Sequence, residues 1–174
     1  MRILSVCGSL RRGSTNAALL RTAVAVAPAG VEIDEFDGLA ALPHFDPDDD
    51  TEPLHPAVAD LRARLGAADA VLLCAPEYAG ALPGSFKNLL DWCVGAETMY
   101  GKRVAFVNAS WAATGAAHAH ASLRTVLGYL GVTLVEDACV HIPVGRDLVG
   151  EDGLVHDEDT RGAIAGVLAR LAQG

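Results

Sequence analysis

Near the amino end, nine consecutive residues, Gly8-Ser9-Leu10-Arg11-Arg12-Gly13-Ser14-Thr15-Asn16, gather three hydroxyls, one carboxamide and two guanidinium groups between glycines. The segment follows an apolar run over 2–7 and precedes an amphipathic stretch over 15–27, so it lies where a strand ends and a helix begins. Free N–H groups at a helix start attract anions, and guanidinium and hydroxyl groups suit phosphate. The same residues also admit a purely local role, with Ser14 or Thr15 capping the helix and both arginines in solvent. Two other phosphate motifs fail. The spacing Gly8-x4-Gly13 imitates a P-loop, but Ser14 stands where the phosphate-reaching lysine belongs, and no G-x-G-x-x-G turn supports a dinucleotide fingerprint.

A second segment pairs a turn-rich loop, Ala75-Pro76-Glu77-Tyr78-Ala79-Gly80-Ala81-Leu82-Pro83, with a helix carrying Phe86, Leu89, Leu90 and Val94 at helical spacing. This pattern gives a loop facing a ligand, then a packed helix. His118 and His120, two apart, fall on different helix faces without an acidic or cysteine partner nearby in the sequence, so no metal is expected. The stretch 38–56, with four prolines and the acidic run 46–52, reads as a solvated surface loop. It lacks the ligand alternation, central glycine and distal glutamate of a calcium loop.

These segments need elements to hold them. Apolar runs at 2–7, 31–36, 70–74 and 104–107, with a last one split between 132–135 and 138–142, alternate with amphipathic stretches at 15–27, 56–65, 83–94, 116–130 and 159–171. Continuous apolarity points to strands covered on both faces, and the alternation to a parallel α/β sheet. With 174 residues and no linker or repeat, a single domain over 1–174 is expected. Four cysteines, at 7, 74, 93 and 139, stand singly in apolar segments as small hydrophobes. A balance of 13 basic against 22 acidic residues, net −9, argues against nucleic acid and anionic membranes as partners. No run approaches the ~18 apolar residues of a membrane span, and no signal pattern opens the chain, so a cytoplasmic location is expected.

The pairing of GSLRRGSTN with PEYAGALPGSFKNLLDW resembles the NAD(P)H-dependent FMN reductase family, which includes quinone, azo-dye and chromate reductases. The resemblance implies a flavodoxin-like fold with a five-stranded parallel sheet of order 2-1-3-4-5. It implies FMN as cofactor and NADPH or NADH as reductant. By resemblance, Ser9, Arg11, Ser14, Thr15 and Asn16 hold the FMN phosphate, Pro76, Glu77, Tyr78, Ala79 and Gly80 line the isoalloxazine ring, and Ser110 and Trp111 lie near it. Many members carry Asn where this chain has Ala79. A ping-pong transfer to a small-molecule acceptor (flavin, quinone or azo compound) follows, with no side chain as obligatory acid or base. Relatives pair through the 83–92 helix, which implies a homodimer or tetramer. The alternatives are an electron carrier of the flavodoxin type, whose T-x-T-G-x-T loop is not matched here, and a non-redox binding module on the same fold.

Overall fold

The computed structural model describes residues 1–112 and 114–173. Five helices and a parallel sheet alternate along it: β1 (Arg2–Cys7), α1 (Thr15–Ala25), β2 (Glu32–Phe36), α2 (Pro56–Ala67), β3 (Ala70–Cys74), α3 (Gly84–Asp91), β4 (Arg103–Asn108), α4 (Ala117–Tyr129), β5 (Thr133–Leu134), β6 (Val140–His141) and α5 (Glu158–Ala172). The strand order is β2-β1-β3-β4-β5, with β6 also paired to β4. The 2-1-3-4-5 order and the flavodoxin-like layering expected from the sequence are therefore present. The split last strand has a local cause. The 3-10 turn Glu136–Ala138 interrupts it, and both halves pair with β4, at Arg103–Val104 and at Val107–Asn108.

Alternation along the central strands feeds two cores. Leu4, Val6, Val71, Leu73, Val104 and Phe106 pack under α2, α3 and α4. Ile3, Ala70, Leu72, Ala105 and Val107 pack under α1 and α5 on the other face. Because β1, β3 and β4 are buried on both sides, their sequences lack polar alternation. The run at 31–36 departs from that expectation. Its strand β2 is the sheet edge, and Asp34 holds Arg2 and Arg64 in ion pairs at 2.7 and 3.0 Å. Charge on an edge strand also discourages pairing with other chains.

The stretch 38–56 is exposed over most of its length, as expected, but it is anchored to α3. Pro43 O accepts hydrogen bonds from Asn88 Nδ2 (2.8 Å) and Trp92 Nε1 (2.9 Å), Phe45 N donates to Asn88 Oδ1 (2.7 Å), and Phe45 meets the Trp92 ring edge-on. Arg62 bonds both Trp92 O and Asp50. The loop thus covers α3 from within the same chain. Phe86, Leu89, Leu90 and Trp92 are buried there without a second subunit, which removes the apolar helix face as grounds for expecting a dimer.

Candidate functional site

In a parallel sheet every strand's carboxyl end opens on the same rim, and here β1, β3, β4 and β6 deliver their following loops to one cleft of about 700 Å³. Ser9, Arg11, Ser14, Thr15, Asn16, Pro76, Glu77, Tyr78, Ser110 and Trp111 all line it. Ala79 and Gly80 do not. They form the exposed tip of a hairpin closed by Tyr78 and Ala81, whose N–H and C=O groups exchange bonds of 3.0 Å in both directions.

The first loop owes its path to Gly8. A Cβ there would meet Ala75 Cβ at 2.7 Å and the Phe86 ring at 3.0 Å, so only glycine lets β1 run out against the end of β3. Ser9 Oγ accepts from Arg11 N at 3.3 Å, and Gly13 turns the chain with φ +65. Ser14 then caps α1, its Oγ accepting from Ala17 N at 3.4 Å. The N–H groups of Thr15 and Asn16 find no acceptor among the described residues, so they stay available to a ligand. Asn16 is divided between structure and site. Its Oδ1 accepts from Ala109 N (3.1 Å) and from the Cys74 thiol (3.2 Å), which ties α1 to the ends of β3 and β4. That fixes the amide's orientation and leaves Nδ2 as its free donor. Burial pushes the Cys74 thiol well above its usual pKa, so it serves as a neutral donor.

The loop after β4 is held from beneath. Asn108, fully buried, accepts from Ser110 N at 3.0 Å through Oδ1, and its Nδ2 donates to Gly115 O (2.9 Å) and to His120 Nε2 (2.8 Å). His120 must therefore present an unprotonated Nε2. Burial first, then the charges of Arg124 and His141, lower its pKa to about 4, in agreement with that role. His141 Nε2 donates to Ser110 O at 2.6 Å from β6. Trp111 and Tyr78 stand at the rim of the cleft, 74% and 51% exposed.

Glu77 has a partner that its sequence position hides. Its Oε2 accepts from His118 N (3.0 Å) and Ala119 N (3.1 Å), and Oε1 lies 3.4 Å from His118 Nδ1. The expectation that His118 has no acidic neighbour is thus overturned, because the acid comes from another loop. His118 and His120 do face apart, and among the described residues no group of three potential metal ligands occurs.

Sequence reasoning missed one wall. Val144, Gly145, Arg146 and Asp147, in the loop after β6, line the cleft, as do Ala109, Ala112, Thr114 and Ala116. The signal was available: a strand at 138–142 in a parallel sheet must release its chain on the same rim as the others.

A parallel α/β sheet of this order, with an anion-cradle loop after its first strand and a cleft at its strand ends, is of the flavodoxin-like class. The family model for NADPH-dependent FMN reductases matches residues 1–147. A 2-hydroxy-1,4-benzoquinone reductase from a Burkholderia species is 33% identical over 165 residues, covering 92% of this chain and 88% of the relative. An NAD(P)H-dependent FMN reductase from Pseudomonas aeruginosa is 32% identical over 173 residues, covering 98% and 93%. Among solved structures, the flavoenzyme NAD(P)H:(acceptor) oxidoreductase FerB from Paracoccus denitrificans superposes with TM-score 0.85 at 28% identity, covering 98% of this chain and 96% of that one. The chain belongs to the NADPH-dependent FMN reductase family. It is an oxidoreductase of that family, with FMN as cofactor and a reduced nicotinamide nucleotide as reductant.

Proposed function

We propose that the chain oxidises NADPH or NADH and reduces small planar acceptors, quinones first and flavins or azo compounds besides, by a ping-pong exchange in which nucleotide and acceptor occupy the same cleft in turn. The observation that carries this reading is the single cleft combining an anion cradle at one end with an aromatic rim. The cradle fits a terminal phosphate: Arg11, the Ser9, Ser14 and Thr15 hydroxyls, Asn16 Nδ2 and the unpartnered N–H groups of Thr15 and Asn16 are all donors. Pro76, Glu77 and Tyr78 line the adjoining wall, and Ser110 and Trp111 the one beyond. Ala79 and Gly80 contribute by shaping the hairpin that presents Tyr78. FMN, when bound, supplies the electron-carrying chemistry that no side chain here can perform. The chain's part is to bind, to orient and to keep the two reactants on one face.

An open cleft with exposed Tyr78 and Trp111 favours flat apolar acceptors over a protein electron partner. Anaerobic reduction by each nucleotide, followed by mixing with benzoquinone, tests the reading. Parallel double-reciprocal lines and a separable nucleotide half-reaction are expected; intersecting lines, or no reduction without the acceptor, would overturn it. Self-association is proposed as well, and its support is now the exposed apolar residues Val94, Tyr100 and Tyr129. Sedimentation at micromolar concentration tests it, and a monomer would refute it.

A further inference from the structure

The basic residues of this acidic chain are mostly engaged. Arg2, Arg62, Arg64, Arg103, Arg124, Arg161 and Arg170 are each tied to a carboxylate or a carbonyl; of the four arginines that make no side-chain hydrogen bond or ion pair among the described residues, Arg12 and Arg21 do not line the cleft, whereas Arg11 and Arg146 do. The two come from loops far apart on the rim. Arg11 follows β1 and Arg146 follows β6, with β3 and β4 between them, so their strands lie roughly 14 Å apart at ordinary strand spacing. One small dianion at the start of α1 is already supplied with donors by Arg11, the hydroxyls and the free N–H groups. A second unpaired guanidinium at the other end of the cleft answers to a second anionic group.

The family reaction names few candidates. Quinone acceptors are neutral, and the remaining reactant is the nicotinamide nucleotide, which carries a pyrophosphate and, in NADPH, a 2′-phosphate. We propose that Arg146 binds a phosphate group of the nicotinamide nucleotide and so sets its affinity without holding FMN. Asp147 supports a sugar-phosphate over a free dianion. It lines the same wall, and its Oδ1 stands where a Cβ at residue 145 would be, so Gly145 leaves room for that carboxylate close to the loop. A guanidinium beside a carboxylate pairs a phosphate donor with an acceptor for ribose hydroxyls.

This inference rests on the nucleotide entering the cleft, as proposed above, and the test separates the two. FMN-loaded parent, Arg146→Ala and Arg146→Lys proteins are titrated with NADP+ and NAD+ by calorimetry, and the apo forms with FMN. Arg146→Ala should weaken nucleotide binding about tenfold or more, Arg146→Lys less, and FMN affinity should not move. An equal loss for both nucleotides assigns the pyrophosphate; a loss confined to NADP+ assigns the 2′-phosphate. Unchanged nucleotide affinity, or a loss that falls on FMN, overturns the inference while the reading of the reaction stands. A parent protein that binds FMN but neither nucleotide overturns that reading itself.

Discussion

Two helices begin at the rim of the same cleft and are finished in opposite ways. α1 brings its own cap: Ser14 takes the N–H of Ala17 and leaves those of Thr15 and Asn16 open. α4 has none, because the residue before it, Ala116, sits at φ 56 with no capping side chain. Glu77 closes α4 by accepting from His118 N and Ala119 N, 41 and 42 residues away from it along the chain. Both helix starts carry the same partial positive charge. The protein has answered one with its own carboxylate and left the other without a partner among the described residues, so only the α1 start has donors open to an anion.

Removing the charge at the open helix should have the largest effect. Arg11→Ala takes away a charge-assisted partner of a dianion, and FMN affinity should fall about tenfold or more. Arg12→Ala should cost far less, since Arg12 is exposed and does not line the cleft. Flavin titration of both proteins, with melting temperature as a folding control, checks this. Equal affinities for Arg11→Ala and the parent would move the anion site away from α1. Saturating FMN should restore the turnover of Arg11→Ala, because the role proposed for the residue is to bind the cofactor phosphate and not to transfer a proton.

At the closed helix the expected loss is in stability and in loop position. Glu77→Ala leaves the α4 N–H groups uncapped and unties the loop after β3 from the loop after β4, so the melting temperature should fall by a few degrees. The effect depends on pH in a definite direction. The N–H of Ala119 first, then His118, hold the Glu77 carboxyl below the ordinary carboxylate range. A folded-state pKa depressed in this way gives stability that is full above the unfolded value and fades as pH falls through the folded one. From neutral pH into the acid range the melting temperature of the parent should therefore fall toward that of Glu77→Gln, narrowing its lead over Glu77→Ala. Glu77→Gln, which keeps an acceptor oxygen without the charge, should lie between them. Parallel curves at every pH would show that the carboxylate does not cap α4.

The sequence made the open helix legible and hid the closed one, for a physical reason. The group from Gly8 to Asn16 is contiguous, so residue type, the preceding apolar run and the following helix all fall within one reading frame. Strand and helix order were equally plain, because the interiors of β1, β3 and β4 are mostly apolar and amphipathic helices alternate with the strands. The Glu77 cap, the Asn108–His120–His141 support and the Arg146 wall each join residues from different loops, and only the closed sheet brings them together. Even the anchoring of 38–56 depends on Asn88 and Trp92, more than forty residues from their partner Pro43. Local patterns record what neighbours in sequence do; a cleft made by four strand ends is a contact among strangers.

The smallest expected change sits at the hairpin that presents Tyr78 to the cleft, and it separates conformation from contact. Ala79 and Gly80 have φ values of 50 and 71, so both central residues of this two-residue turn are left-handed. Turns of this kind favour Asn-Gly, because Asn tolerates the left-handed region and glycine enters it freely. Alanine in that region brings its Cβ close to the following carbonyl oxygen, at a cost of roughly 1–2 kcal/mol. Ala79 is exposed and does not line the cleft, so a larger side chain there meets no packing. Ala79→Asn should therefore stabilise the protein by about 1 kcal/mol, a rise of about 2–4 °C in melting temperature for a chain of this size. Ala79→Gly relieves the same crowding but loses more backbone entropy on folding, so its gain should be smaller. FMN titration of the two variants then separates a role in the turn from a contact with the cofactor. Unchanged affinity in both means the residue serves the turn alone, and tighter binding in Ala79→Asn but not in Ala79→Gly means its amide also reaches the cofactor. If neither variant melts above the parent, the left-handed alanine is not under strain and the hairpin owes its shape to Gly80.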